Sequence, residues 1–210
     1  MAQKANFEPI GLTPDSFKNM QLNAGMFLIG LDSTTITAST TAEDFADMIE
    51  TAVEAGKSLG ATTGGGSFNA VPEVRQIEAD GMRSPIIGST VFDSWEITLA
   101  TTMKEITAKN MQIVIATVRQ DAVSGAIKIG NTLLPSDYIP FIGWAGMLLD
   151  GRLVYIELQN ALNLDGAAFT FTDKGEGTIP VTFRGHQSDL KNMQFAPCNI
   201  WFFEREPEEP

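Results

Sequence analysis

The run VFDSWEITLATTM, residues 91–103, alternates in polarity along its whole length. Val91, Trp95, Ile97, Leu99 and Met103 take the odd positions, while Ser94, Glu96, Thr98, Thr102 and Lys104 take the even ones. Such a period of two specifies a strand with one face in a core. Strands in globular domains commonly run about five or six residues, so a strand this long exceeds what a small sandwich uses internally, and something outside the subunit is expected to use it. Upstream lie a glycine-rich entry (GATTGGGSF), a strand-like run reaching Glu78, and a loop (ADGMRSPIIGST). The block from Gly60 to Met103 therefore reads as an oversized β-hairpin, with Gly64, Gly65 and Gly66 as its flexible entry.

A chain of 210 residues with 43% hydrophobic content can bury one substantial core. A single domain over 1–203 is expected, with an N-terminal arm over about residues 1–24 and an acidic C-terminal tail, 204–210, as a solvated end. No stretch reaches the length of a membrane span, and the N-terminus lacks a basic start and an apolar h-region; a soluble protein made in the cytoplasm is expected. Cys198 has no second cysteine to pair with and reads as a small packing residue. The 26 acidic against 14 basic residues give a net charge of -12, opposite in sign to the footprint of a phosphate-gripping protein.

Met26–Leu31 reads as a first strand. The clearest helix follows, with Thr40 and Thr41 as N-cap candidates and Glu43 and Asp44 at the positive end of the dipole. Phe45, Met48, Ile49, Ala52 and Val53 form one stripe, and Gly56 supplies the stop, with Lys57 beside the exposed carbonyls. A second helix is predicted over 108–118, with a strand as its rival because of its β-branched residues. Short strands are predicted at 126–129, 138–149, 153–158, 168–172, 179–185 and 199–203, with Asp150-Gly151 and Lys174-Gly175-Glu176-Gly177 as hairpin turns. The predicted fold class is mainly β: an antiparallel β-sandwich or barrel with one or two flanking α-helices and a long extended hairpin.

Catalytic motifs fail on context. Gly56-Lys57-Ser58 resembles the end of a phosphate-binding loop, but Thr51 stands where its first glycine belongs, and a helix precedes it. Gly56-Lys57-Ser58-Leu59-Gly60 matches G-x-S-x-G, with His186 downstream, yet the strand before the serine and the helix after it are not readable. Gly64-Gly65-Gly66 is no dinucleotide fingerprint, because Asn69 occupies the last glycine's place. One histidine and one cysteine leave little for a metal site. No enzymatic activity and no cofactor are expected.

The segments SLGATTGGGSFNAVPEVRQIEADG, DSWEITLATTMKEIT and YIELQNALNLDGAAFTFTDKGEGTIPVTFRGH, with the helix TAEDFADMIETAVEAG placed just before them, resemble the tail tube (major tail) proteins of tailed bacteriophages. The likeness lies in the succession of segments, covers about half the chain, and does not extend to the N-terminal arm or the EREPEEP tail. It implies a β-sandwich or barrel subunit whose copies form hexameric rings stacked into a hollow conduit for DNA, in the virion tail, after assembly in the host cytoplasm. The partners implied are further copies of the chain, a tape-measure protein, and tail terminator and tail-tip or baseplate proteins; DNA passes without specific binding, and no membrane is involved.

Carried onto this sequence, the resemblance makes Asn69–Glu78 and Thr90–Thr102 lumen strands. Asp80, Gly81, Met82, Arg83, Ser84, Pro85, Ile86 and Ile87 become the inter-ring loop, with Met82, Ile86 and Ile87 as its apolar tip. Glu96, Thr98 and Thr102 are the lumen-facing candidates on the second strand, and Glu73, Gln76 and Glu78 those on the first, where Pro72 interrupts the ladder. The neighbouring readings are a tube subunit of a bacterial tailocin or type VI secretion system and, from another class, a small-ligand-binding β-barrel.

Overall fold

The computed structural model describes residues 13, 15–21, 23–171, 173, 175–190 and 193–205. Its strands are β1 (Met26–Ile29), β2 (Thr62–Gln76), β3 (Thr90–Met103), β4 (Val118–Gln120), β5 (Ile127–Ile129), β6 (Ile139–Met147), β7 (Leu153–Asn163), β8 (Ile179–Arg184) and β9 (Cys198–Phe203). Two helices, α1 (Ala42–Glu54) and α2 (Ala108–Val114), flank them. The fold is mainly β and sandwich-like, as expected. Seven strands form one antiparallel sheet in the order β1-β6-β7-β8-β3-β2, with β9 also on β7, and β4 and β5 pair separately.

The sheet folds over at β7. One edge of this strand pairs with β6; the other pairs first with β9, along Leu153–Leu158, and then with β8 at Leu162 and Asn163. Between those stretches Asn160 takes φ +46°, a left-handed conformation that asparagine tolerates better than most residues. The two halves enclose the main core: Phe27 of β1, Ile142 of β6 and Leu158 of β7 meet Ile97, Leu99 and Met103 of β3 and Ile179, Val181 and Phe183 of β8. On its other face the β1-β6-β7-β9 half carries α1, through Leu28, Phe45, Ala52, Ala145, Tyr155 and Phe203. The Phe45 ring stacks on Phe203 at 4.1 Å.

Local chemistry accounts for the start of α1. Thr41 Oγ1 accepts from the Asp44 amide at 3.1 Å while the Asp44 carboxylate accepts from the Thr41 amide at 3.0 Å, a reciprocal cap. At its other end Gly56 takes φ +70°, as expected. Lys57 follows directly, its amide donating to Ala52 O at 2.8 Å, and Lys109 donates to Gly56 O and Ser58 O just past the helix. The predicted apolar stripe ends at Ala52, since Val53 is exposed.

Several boundaries differ from expectation. α2 stops at Val114, and the β-branched residues after it lead into β4. β7 continues to Asn163, well past Leu158. The predicted strand over 168–172 is reduced to a bridge between Thr170 and Thr178, and Thr172 lies outside the described residues. Of the Lys174–Gly177 turn, Lys174 also lies outside them. Just after Phe203, Glu204 and Arg205 are exposed but meet the start of α1: the Ala42 amide donates to Glu204 O at 2.9 Å, and Arg205 lies 3.8 Å from Glu43. Residues 206–210 and most of the N-terminal arm lie outside the described residues. The arm's described end packs on the β6–β7 turn, where the Leu149 amide donates to Met20 O at 2.9 Å.

Candidate functional site

The hairpin β2–β3 has an inner half built into the sheet and an outer half that leaves it. From Thr98 to Met103, β3 lies between β2 and β8, and its inward residues Ile97, Leu99 and Met103 are fully covered. β8 ends at Arg184, opposite Thr98, and just past it the last backbone hydrogen bond to β3 is the Gly185 amide donating to Ile97 O at 3.1 Å. Beyond that point β3 pairs with β2 alone, and residues 69–76 of β2 are exposed throughout. Fifteen residues make β2 about 50 Å long. Its outer edge has no partner among the described residues, so a row of backbone donors and acceptors is free for another strand. Pro72 is tolerated because β2 is an end strand of the sheet.

The glycine-rich entry is not a hinge before the strand. Gly64 and Gly65, with φ of +73° and +70°, form a bulge inside β2, where the register shifts between Thr63 and Gly66. Gly66 is the position that needs no side chain: a Cβ there would lie 2.5 Å from Phe27 Cζ and 2.6 Å from Ala100 O. The buried Thr101 hydroxyl donates to Gly65 O at 2.9 Å, so the bulge carbonyl is satisfied.

Cross-strand pairing assigns the two faces, because paired residues point the same way. Thr63, Ser67, Asn69, Val71 and Glu73 of β2 share a face with Thr102, Ala100, Thr98, Glu96 and Ser94 of β3. This face is polar and internally bonded: Ser94 Oγ donates to Glu73 at 2.8 Å, Asn69 Nδ2 to Thr98 Oγ1 at 3.4 Å, and Arg184 Nη2 to Glu96. The opposite face continues outward from the core as Ala70, Pro72 and Val74 beside Phe92 and Trp95, where no other element among the described residues covers it.

Of the six lumen-facing candidates, the structure brings Glu73, Glu96, Thr98 and Thr102 onto that polar face. Gln76 stands on the other one, its amide 3.5 Å from Thr90 Oγ1, because it lies three positions beyond Glu73 on a strand that continues without a break. Glu78 lies past the end of β2. The first hairpin strand spans Thr62–Gln76, so it begins before Asn69 and stops short of Glu78.

Asp80, Gly81, Met82, Arg83, Ser84, Pro85, Ile86 and Ile87 form the hairpin tip, and all but Met82 are exposed. Met82 is half-buried, its amide donating to Ala79 O at 3.0 Å, so Ile86 and the fully exposed Ile87 carry the apolar tip. Ser89, buried at its base, donates to Ile86 O at 2.8 Å and fixes the exit of the loop. The Arg75–Asp93 ion pair, 2.9 Å long, clamps the outer hairpin across the second register shift.

Two surfaces escaped the sequence reading. β9 has one side on β7, and Ile200 and Phe202 are exposed on it. The segment leading to it adds exposed Leu190, Met193 and Phe195. Alternation in CNIWFF could have flagged the strand's exposed residues, but in so apolar a run the two faces look alike.

Ser58, the G-x-S-x-G serine, follows a helix and bridges to Leu28 of β1, while its hydroxyl accepts from the Gly60 amide at 3.1 Å. His186 sits just past β8, half-buried, with Nδ1 3.1 Å from Asn160 O and its ring edge-on to Tyr138. Cys198 is half-buried, and burial raises its thiol pKa above the usual value. No helix among the described residues is long and apolar enough to cross a membrane. No protein-family model matches the sequence, and no curated protein matches it.

Proposed function

We propose that this chain is a structural subunit that polymerises with copies of itself, as the tube subunit of a bacteriophage tail: hexameric rings stacked into a conduit for DNA. The observation that carries this reading is the outer hairpin. A single subunit gains nothing from extending two strands past their last neighbour with an uncovered apolar face and open edges, whereas a neighbouring copy can satisfy both. A ring of identical copies needs two different surfaces that fit each other. The chain offers two apolar ones, the outer half of β2–β3 and the β9 side with Leu190, Met193 and Phe195.

The polar face suits a channel wall. Hydroxyls and amides dominate it, and its acids are partly offset by Arg184, so DNA would meet hydration without clustered cations that hold phosphates. The exposed Ile86 and Ile87 at the tip are then the contact to the next ring. The tape-measure and tail-end proteins follow as partners from this reading, with virion tail as the location and no catalytic role.

Negative-stain microscopy and sedimentation of the purified protein at rising concentration, with and without a crowding polymer, test it directly. Rings or tubes are expected, and a variant lacking Met82–Ile87 should stay folded while forming rings that do not stack. A monomer at every concentration, or tubes of normal length from the deletion variant, overturns the reading.

A further inference from the structure

Glu157 sits mid-strand in β7 with no exposed surface, on the face that packs under α1. Its Oε1 accepts from Ser33 Oγ at 3.0 Å and from Asn199 Nδ2 at 3.5 Å; its Oε2 accepts from the Tyr155 hydroxyl, also at 3.5 Å. All three donors are neutral. Ser33, itself buried, opens the 3-10 turn Ser33–Thr35 in the loop between β1 and α1, so its hydrogen bond fastens that loop over the carboxyl.

The surroundings of this group are short of positive charge. From its own strand comes Tyr155, whose phenol burial and Glu157 together push up; β6 contributes Gly143 opposite, and β9 contributes Asn199. From the loop comes Asp32, an acid held below the usual carboxylate range by its hydrogen bonds with Thr34. α1 presents apolar Phe45 and Ala52 to the same face. Burial above all, with a smaller push from Asp32, raises the Glu157 carboxyl to about 7 against the pull of its three hydrogen bonds.

We infer that Glu157, Ser33 and the loop they join form a pH-operated latch: the protonated carboxyl seats the β1–α1 loop on the sheet, and ionisation releases it. An ionised carboxylate without a cationic partner is costly to keep from water. Lifting the loop brings water to it while the helix–sheet core stays in place. A groove of about 340 Å³ between loop and helix, lined by Leu31, Thr35, Met48, Thr51 and Lys57, gives the loop room to move. The latch belongs to the fold and does not depend on the assembly reading.

Hydrogen exchange by mass spectrometry on the full chain, normalised to unstructured-peptide rates, tests it. Between pH 6 and pH 8 the opening of residues 32–40 should rise about tenfold in the wild type and stay flat in Glu157→Gln. Carbon NMR of the glutamate carboxyls should place one titration near 7, and Ser33→Ala should move that titration upward by removing a donor to the ionised form. The carboxyl measurements need no Gln variant, should that chain fail to fold. An ordinary titration below pH 5, or the same pH dependence of loop opening in wild type and Glu157→Gln, overturns the latch.

Discussion

The rings of Phe92 and Trp95 stand 5.4 Å apart on one face of β3, because Asp93 between them drops out of the ladder. Without that slip Phe92 would share the polar face with Ser94 and Glu96. The bulge thus gathers two aromatic side chains, each about half exposed, with Val74 on the part of the hairpin that no other strand among the described residues covers. Replacing both rings by serine (Phe92→Ser with Trp95→Ser) should change folding stability by less than about 0.5 kcal/mol, as for surface sites generally. Self-association should be lost. Urea melts together with sedimentation separate the two effects, and undiminished assembly by the double variant counts against the hairpin as an interface.

Further along the same strand the expectation inverts. Leu99 is 2% exposed and belongs to the main core, so Leu99→Ala should cost about 2–5 kcal/mol through lost burial and the cavity left behind. One strand would then show two regimes, divided near Ile97. Equilibrium denaturation in urea reads this directly, with a similar cost at Trp95 as the result that would erase the division.

Two glycines of the hairpin should respond differently to alanine. At Gly66 the new methyl meets Phe27 and the Ala100 carbonyl, and forcing a group into a packed site costs about 1–3 kcal/mol. At Gly81 the space is open and only the φ of +88° is strained, a penalty of about 1–2 kcal/mol confined to the loop. Gly66→Ala should therefore also perturb the Phe27 ring environment by NMR, and Gly81→Ala should not.

What could be read from the sequence follows from how far each signal is local. The helix at Thr41–Glu54 was legible because its cap, stripe and glycine stop all lie within one segment. So was β3, whose alternation holds wherever the strand is paired on both sides. The phase of β2 was not, because its outer half is exposed on both faces: Val71 and Val74 point opposite ways and are each about half exposed, so residues 69–78 carry no inside–outside contrast. The length of β7 was hidden because it changes partners at Asn160, and the LQNALN sequence there mixes residues facing two different neighbours. Glu157 was one acid among many until Ser33, 124 residues away, was found beside it.

The polar face carries a prediction about charge. Thr98 lies opposite Arg184 in the β3–β8 ladder, and Arg184 is held by Glu96. Glu96→Lys with Thr98→Lys frees that arginine and adds two cations around it. The variant should bind duplex DNA at low salt, with affinity falling steeply as salt rises, while the wild type does not. Anisotropy with a labelled duplex measures it. In an assembled tail the same pair should slow DNA ejection, and unaffected infectivity would argue against this face as the wall.

Stability should pass through a maximum in mildly acidic solution, because two acids, a half-buried one and a buried one, pull in opposite directions. Asp137 bonds Arg119 through both oxygens at 2.8 Å and accepts from the Leu134 amide at 2.8 Å, which holds its carboxyl below the usual range. Its contribution is present above the ordinary carboxylate pKa and is lost as pH falls through the depressed one. Glu157 behaves in the reverse sense. With its carboxyl pushed up to about 7, the folded state holds a proton that the unfolded chain releases, so stability is complete below the ordinary carboxylate range and declines as pH rises towards 7. The decline should be on the order of 1–3 kcal/mol between pH 4.5 and pH 7.5, and Glu157→Gln should abolish it. Urea midpoints at half-unit steps of pH give the profile; a wild-type curve that rises steadily to pH 8 would mean that Glu157 is ionised in the folded chain at neutral pH and stabilised by a partner or water its buried surroundings do not supply.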